Sequence, residues 1–240
     1  MYKTFINGWG LPGTGKTTFG LTFPGLVWLV QLDRPADVLI KRMNAQVVDL
    51  TPNLDSVMTS YAAREFMVVF DDFLSRAIAQ GPGLFMVDGG DRLKDIARIV
   101  YIEHDKDLKQ YSALNEWMTR WMMKVHYSQL QGYITHPYDN VWESATKQSS
   151  RIEPDQWRHI DKVTTERLYF FTPGQSREVV PMAIDMEANP TYEPPQARFF
   201  TKIQQAKNDA TIQGRVIENL TFSLLYELCF EEKYNGGVGK

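Results

Sequence analysis

Residues Gly10 to Thr18 decide the fold of this chain, and they read Gly-Leu-Pro-Gly-Thr-Gly-Lys-Thr-Thr. The first eight match the pattern G-x-x-x-x-G-K-[ST] in full. A strand-like run at residues 4–7 precedes the pattern and a helical run at 16–23 follows it, which is the context that a phosphate-binding loop requires. Glycines let a backbone curl closely around phosphate oxygens. We therefore expect the following residues to bind the phosphates of a nucleotide: Gly10, Leu11, Pro12, Gly13, Thr14, Gly15, Lys16, Thr17 and Thr18.

Individual roles within this loop follow from the chemistry of its side chains. Lys16 is expected to reach the β- and γ-phosphates, and the Thr17 hydroxyl is expected to hold Mg²⁺. A second Mg²⁺ ligand in such sites is an Asp at the end of an apolar strand, and Asp88 directly follows the apolar run at residues 84–87. The alternative for Asp88 is an N-cap of the next helix, although Asp91 is the better cap.

Hydrolysis also needs a group that orients or deprotonates water. Gly89 follows Asp88 directly and carries no side chain for this task. Two acids remain as candidates: Asp33, which follows the apolar run at residues 26–32, and Asp91. His136 ends the strand predicted at residues 131–135, where we expect it either to contact the γ-phosphate or simply to cap the loop that follows.

Composition limits the class of protein. The chain has 240 residues, a net charge of −3 and one cysteine, Cys229, which lies in an apolar run and is expected to be buried. This negative net charge gives the protein no overall electrostatic attraction for nucleic acid, so any site for a polyanion must be formed by a local group of cations. No leader peptide and no apolar run of membrane-spanning length is evident, and a reducing cytoplasm suits a lone cysteine. These features predict a single domain over residues 1–240 in the cytoplasm.

Strands and helices alternate over the first part of the chain, which predicts an α/β fold with a mainly parallel central sheet and helices on both faces. Residues 1–136 form the predicted nucleotide-binding core. Its strands are expected at residues 4–7, 26–32, 46–50, 84–87 and 131–135, and its helices at 16–23, 36–43, 61–80, 91–103 and 112–129.

The pattern of apolar and polar residues changes after His136. Residues 137–165 are polar and show no sustained period, which predicts a long functional loop. Residues 166–235 are expected to form antiparallel strands and a closing helix. The strands are predicted at 167–172, 178–185 and 198–205, a proline-rich connector at 189–197, and the helix at 220–231.

The segment from Pro137 to Arg167 mixes cations with aromatic rings, a combination that suits single-stranded nucleic acid because rings stack on unpaired bases. The cations are Lys147, Arg151, Arg158, His159, Lys162 and Arg167, and the rings are Tyr138, Trp142 and Trp157. Acids also lie in the same segment, among them Asp139, Glu143, Glu153, Asp155 and Asp161. A polar loop that merely covers the sheet therefore stays an open alternative.

These positions together resemble the RecA-like P-loop ATPases, and most closely the phage and prophage nucleotide-binding group that includes the Sak-type single-strand annealing ATPases. The matching features are the early loop, the strand that ends in Asp33, the strand that ends in Asp88, and the pair Thr135-His136, where that group carries a sensor. The resemblance covers residues 3–136. It implies a RecA-like fold, ATP and Mg²⁺ as cofactors, and Asp33 as the base.

The same resemblance implies a homo-oligomer, a ring or a filament, in which a neighbour supplies a cation to the γ-phosphate. Arg198, Lys202 and Lys207 are candidates for that cation, with solvated strand charges as the alternative. We expect an ATPase that acts on single-stranded DNA in replication or recombination. The alternatives are a motor for genome packaging or assembly, a nucleotide-switched interaction module with little turnover and, less favoured, a small-molecule kinase.

Overall fold

The computed structural model describes residues 3–33, 36–43, 45–52, 58–102, 108–142, 149–154, 156–157, 159–172 and 199–230. Eight strands form one sheet in the order β10-β9-β8-β1-β5-β4-β2-β3, and β6 and β7 pair separately. Strands β1 to β5 and β8 run parallel, whereas β9 and β10 are antiparallel to their neighbours. The predicted mainly parallel sheet with antiparallel strands toward the C-terminus is confirmed.

The strands are β1 (Phe5–Gly10), β2 (Val27–Gln31), β3 (Val47–Leu50), β4 (Gly83–Asp88), β5 (Leu130–His136), β6 (Tyr138–Trp142), β7 (Ser149–Pro154), β8 (Glu166–Phe171), β9 (Phe200–Ala206) and β10 (Val216–Glu218). The helices are α1 (Lys16–Leu21), α2 (Asp37–Met43), α3 (Ser60–Gln80), α4 (Gly90–Tyr101), α5 (Leu108–Tyr127), α6 (Ile160–Val163) and α7 (Phe222–Phe230). A short 3₁₀ turn covers Ala210–Ile212.

Helices cover both faces of the sheet, as the alternating sequence predicts. Apolar side chains of α3, α4, α5 and α6 pack with one set of strand residues, among them Phe85 and Ile134. Side chains of α1, α2 and α7 pack with the alternate set, among them Met86 and Tyr133. Because successive residues of a strand point to opposite faces, this division assigns each strand-end side chain to one face. Cys229 is buried on the α1 face, as expected from its apolar surroundings.

The prediction of one long loop over residues 137–165 is wrong, because this stretch contains two strands and a short helix. Tyr138–Trp142 and Ser149–Pro154 form an antiparallel pair with a bulge, and Ile160–Val163 form a short helix. The two strands read Tyr-Asp-Asn-Val-Trp and Ser-Ser-Arg-Ile-Glu-Pro, so neither shows the regular apolar–polar alternation by which a strand is recognised in a sequence. The strand predicted at residues 178–185 and the connector at 189–197 lie outside the described residues.

Strand β1 is longer than its predicted range of 4–7, because Gly8 and Gly10 belong to the strand and not to the turn. A side chain at Gly8 would lie 2.6 Å from the hydroxyl of Tyr133, so only glycine fits between β1 and that ring. Strand β8 then pairs with β1 from Ile6 to Gly10. The C-terminal strands therefore extend the same sheet that carries the phosphate loop.

Candidate nucleotide-phosphate site

The loop between β1 and α1 has the backbone of an anion cradle. Gly13 and Gly15 have positive φ angles of 78° and 92°, which glycine adopts without strain. Gly15 is the N-cap of α1, and Lys16 begins the helix. A Cβ at Gly13 would meet no atom within 4 Å, so this part of the loop faces open space. Amide groups in such a turn form a concave surface that favours phosphate.

The ammonium group of Lys16 lies over this loop. Its Nζ donates hydrogen bonds of 2.7 Å to the carbonyl oxygens of Gly10 and Leu11. Burial lowers the pKa of Lys16, and the carboxylates of Asp88, Asp33 and Asp91 oppose that effect. The charges of three carboxylates thus act on one ammonium group, and this surplus of negative charge suits a divalent metal ion.

Asp88 ends β4 on the α1 face and is buried, with 5% of its surface exposed. Its Oδ2 accepts a hydrogen bond of 2.8 Å from the Thr17 hydroxyl, and its Oδ1 accepts one of 2.6 Å from the Thr135 hydroxyl. Burial raises the pKa of Asp88, while these two hydrogen bonds and the Lys16 charge oppose the rise. The structure therefore brings together Lys16, Thr17 and Asp88, as the sequence predicts.

Thr135 is held in one orientation by a second contact. The Gly89 amide donates a hydrogen bond of 3.0 Å to the Thr135 hydroxyl oxygen, whose own proton goes to Asp88. On the other side of β4, the Leu32 amide donates a hydrogen bond of 2.8 Å to the Asp88 carbonyl oxygen. The ends of β2, β4 and β5 are thereby connected around one carboxylate.

Gly89 occupies a position with little room for a side chain. Its φ is 103°, and a Cβ there would lie 3.1 Å from both the Asp33 amide nitrogen and the Leu32 Cβ. The positive φ and the close approach of the residues that follow β2 thus disfavour an acid directly after Asp88. The nearest acid on the neighbouring strand is Asp33, which is exposed two residues beyond Gln31, the β2 partner of Asp88 in the sheet register.

His136 lies on the other face of the sheet from Asp88. It is fully buried, and a Cβ at Gly90, the first residue of α4, would overlap its ring. Because Thr135 and His136 are consecutive in β5, only Thr135 faces the Thr17 side. The structure does not bring His136 next to the phosphate loop, and its contact with a γ-phosphate stays a prediction.

Tyr133 is a positioning residue that the motif search misses. Its hydroxyl donates a hydrogen bond of 2.9 Å to the carbonyl oxygen of Lys16, and its ring is fully buried between β1 and α1. A Cβ at Gly20 of α1 would lie 2.9 Å from the Tyr133 ring. Burial raises the pKa of Tyr133 well above its usual range, so the hydroxyl keeps its proton and stays a donor. The sequence could have indicated this role, because Tyr133 lies two residues before Thr135 and therefore on the same face of β5.

The side chains around Asp88 fit a magnesium ion. Mg²⁺ keeps several water molecules and takes only one or two protein oxygens beside phosphate oxygens, and a hydroxyl paired with a carboxylate supplies that set. In the part of the chain that the structure describes, no group of three or more His, Cys, Asp and Glu side chains forms a self-sufficient metal site. Thr17 and Asp88 are therefore the residues that would hold the ion together with a nucleotide.

One expectation for the rest of the chain needs correction. Trp157 is 4% exposed, and its Nε1 donates a hydrogen bond of 2.7 Å to Asn115, so its ring is part of the core and not a stacking surface for bases. Lys207 donates hydrogen bonds of 2.6 Å to the carbonyl oxygens of Asp161 and Thr164, just before β8 begins. Lys207 therefore lies at the end of β8 remote from the phosphate loop of its own chain, and its action on a neighbour's nucleotide stays a prediction.

For the other residues predicted to contact DNA or to act in trans as a cation, the structure gives a single contact or only a position in a strand. Arg167 pairs with Asp161 at 3.6 Å. Lys202 lies in β9, opposite Tyr169 of β8. Arg198, Lys147 and Arg158 lie outside the described residues.

Within the described ranges, no helix is both long enough and apolar enough to cross a bilayer. No protein-family model matches this sequence, and no curated protein matches it. The phosphate loop and the side chains around Asp88 are therefore the features that carry functional information.

Proposed function

We propose that this chain binds a nucleoside triphosphate with Mg²⁺ and hydrolyses it. The observation that carries the proposal is the 2.8 Å hydrogen bond between Thr17, in the phosphate loop, and Asp88, at the end of β4. A metal-binding hydroxyl and a metal-binding carboxylate thus meet beside the loop. ATP is the default nucleotide, because the sequence has no Asn-Lys-x-Asp motif for guanine.

Each residue has a distinct task in this proposal. The loop amides and Lys16 bind phosphate oxygens, and Lys16 exchanges its bonds to Gly10 and Leu11 for bonds to the ligand. Thr17 and Asp88 hold Mg²⁺, which when bound neutralises charge on the phosphates. Thr135 fixes the Asp88 carboxylate, and Tyr133 fixes the first turn of α1.

The location of the acid near this site supports a RecA-like layout. Gly89 stands where an acid commonly follows the metal-binding Asp, and Asp33 lies two residues beyond the end of the adjacent strand β2. The resemblance implies that the acid of this strand activates water. The position of β5 between β1 and β4 also suits that resemblance, since it puts Thr135 between the loop and Asp88.

A nucleotide-switched module with little turnover is the second candidate. It is favoured by the position of His136, on the sheet face away from Thr17, and by the exposure of Asp33 to solvent. In this alternative the nucleotide changes the arrangement of the ends of β2, β4 and β5 without rapid hydrolysis.

The proposed process, action on single-stranded DNA, rests mainly on the resemblance, because Trp157 is not a base-stacking residue. Phosphate release from ATP, measured with Mg²⁺ and with single-stranded DNA, duplex DNA or no DNA, tests it. Stimulation by single-stranded DNA supports the proposal, and stimulation by duplex DNA alone supports a packaging or assembly motor. Tight ATP binding without turnover supports the switched module. Gel filtration of the same samples, with and without ATP, tests the proposed ring or filament.

A further inference from the structure

A cavity of about 370 Å³ lies beside the phosphate loop, between α1, α2 and the C-terminal strands. Gly15 and Thr18 line one side of it, Leu39 of α2 lines another, and Phe199 and Asn219 close the side formed by the C-terminal segment. Its volume lies within the range of small-molecule sites, about 300–1,000 Å³. The cavity begins at the N-cap of α1, so it is continuous with the loop expected to bind phosphates.

The wall formed by the C-terminal segment is held rigidly against α1. The Phe222 amide, in the first turn of α7, donates a hydrogen bond of 2.8 Å to the Thr22 hydroxyl, which itself donates one of 2.6 Å to the Phe19 carbonyl oxygen. The Phe222 ring stacks on that of Phe19, with 5.5 Å between the ring centroids, and meets that of Phe23 edge-on at 5.0 Å. The turn before α7, which contains Asn219, is therefore fixed relative to the helix that follows the phosphate loop.

Asn219 is oriented by its own backbone and by that of Phe199. It has a positive φ of 49°, the only such value for a residue other than glycine in the described chain. Its amide donates a hydrogen bond of 2.8 Å to the Phe199 carbonyl oxygen, and its Oδ1 accepts one of 3.3 Å from the Phe199 amide. A backbone N–H can only donate, so the side-chain atom facing it must be the oxygen. The Asn219 side-chain amino group is left as a hydrogen-bond donor at the cavity wall.

The chemistry of the walls indicates the class of ligand. Phe199, Leu39 and Leu220 supply apolar surface, the hydroxyls of Thr18 and Thr201 supply polar contacts, and Asn219 supplies an oriented donor. A flat heterocycle with ring-nitrogen acceptors, attached to a sugar, matches this set. We propose that the cavity binds the purine nucleoside part of the triphosphate and that Asn219 donates a hydrogen bond to the purine ring. This proposal rests on nucleotide binding at the phosphate loop.

Two ligands separate the nucleoside contribution from the phosphate contribution: ATP and inorganic tripolyphosphate, each titrated with Mg²⁺ by calorimetry. The unchanged chain is expected to bind ATP at least about tenfold more tightly than tripolyphosphate, because only ATP fills the cavity. Binding of neither ligand overturns the proposed function and this proposal with it. Equal binding of both overturns the nucleoside site alone.

Three variants place the effect in the cavity. Asn219→Gly keeps the positive φ but removes the donor, and it should weaken ATP binding about fivefold without changing tripolyphosphate binding. Leu39→Trp fills the cavity and should remove the preference for ATP. Gln213→Ala, at an exposed position in the same C-terminal segment, should change neither affinity. Unchanged ATP affinity in both Asn219→Gly and Leu39→Trp, with normal thermal unfolding, overturns the proposal.

Discussion

The Thr135 hydroxyl donates a hydrogen bond of 2.6 Å to Oδ1 of Asp88, so a side chain of β5 sets the orientation of the carboxylate at the end of β4. Replacement of Thr135 by the isosteric valine leaves this buried oxygen and the Gly89 amide without a partner. We expect Thr135→Val to lose about 1–3 kcal/mol of stability. It should also weaken Mg²⁺-dependent ATP binding.

Thr135→Ser is the matched control, because it keeps the hydroxyl and removes only a methyl group. Urea unfolding and Mg²⁺ titrations of ATP binding measure the two effects. A valine variant that behaves like the serine variant in both assays would show that Thr135 does not position Asp88.

Lys16→Ala is expected to abolish detectable ATP binding. The ammonium group is the cation of the loop, and each charge-assisted hydrogen bond that it makes contributes about 1.5–3 kcal/mol. The expected loss of affinity is therefore about 100-fold or more, measured by anisotropy of a fluorescent ATP analogue. Lys41→Ala, on the exposed side of α2, is the control and should bind normally. Intact ATP affinity in Lys16→Ala would contradict the assignment of the loop.

Asp33→Asn should bind ATP with unchanged affinity and fail to hydrolyse it, because the amide cannot accept a proton from water. Phosphate release under single-turnover conditions measures the rate, and ATP titration measures affinity. Asp91→Asn is the comparison, since Asp91 is the other acid whose charge acts on Lys16. Normal turnover in Asp33→Asn with loss in Asp91→Asn would transfer the role of base to Asp91.

Gly89→Ala should destabilise the protein more than Gly214→Ala does. Both glycines have positive φ, 103° and 88°, so both substitutions cost about 1–2 kcal/mol of backbone strain. Only at Gly89 would the new Cβ also lie within 3.1 Å of β2, whereas at Gly214 it would meet nothing within 4 Å. Chemical unfolding of the two variants measures the difference between their free energies of unfolding. Equal losses of free energy would contradict the prediction, because they would mean that the ends of β2 and β4 can move apart at no energetic cost.

Glu166 predicts a pH dependence of stability. It is fully buried at the start of β8, bonded to Thr165 and to Asn208, and burial raises its pKa from 4.5 to about 7 despite these bonds and the Lys207 charge. The folded protein therefore binds this proton more tightly than the unfolded chain. The resulting stabilisation is complete below pH 4.5 and is lost as the pH rises through about 7, a change of about 3 kcal/mol.

Urea unfolding between pH 4.5 and pH 8 measures this slope. Glu166→Gln should flatten it, leaving the part contributed by Asp88, whose pKa is also raised. Glu116→Gln, at an exposed carboxyl of α5, should leave the slope unchanged. A slope that is the same in all three proteins would exclude Glu166 as its source.

The phosphate loop, the position of Asp88 at a strand end and the alternation of strands and helices along the first part of the chain could be predicted, because each depends on a short stretch of sequence. Glycine spacing determines the loop, and a continuous apolar run ending in an acid determines β4. The same reasoning could not predict that Thr135, and not His136, contacts the Asp88 carboxylate. That contact depends on the register between β4 and β5, whose paired residues lie 47 positions apart in the chain.

The burial of Trp157 shows a second limit of prediction from sequence. Its neighbours in sequence are polar, which favours an exposed ring, yet its indole donates to Asn115 of α5, 42 residues earlier. Burial of such a residue is decided by a tertiary contact that no local pattern carries. The β6–β7 pair was missed for a related reason, since its two strands carry no regular apolar alternation and are joined only by their pairing.

The hydrogen bond between Thr22 and Phe222 has a consequence for how the protein is made. The two residues are 200 positions apart, so at ribosomal rates of about 5–20 residues per second α1 emerges roughly 10–40 s before its partner in α7. During that interval the rings of Phe19 and Phe23 lack the neighbour that stacks on them. Contacts of such long sequence separation also slow folding, because the intervening chain must be ordered first. Helix α1 thus completes its packing only after α7 has been made, and until then the nascent chain exposes an aromatic surface.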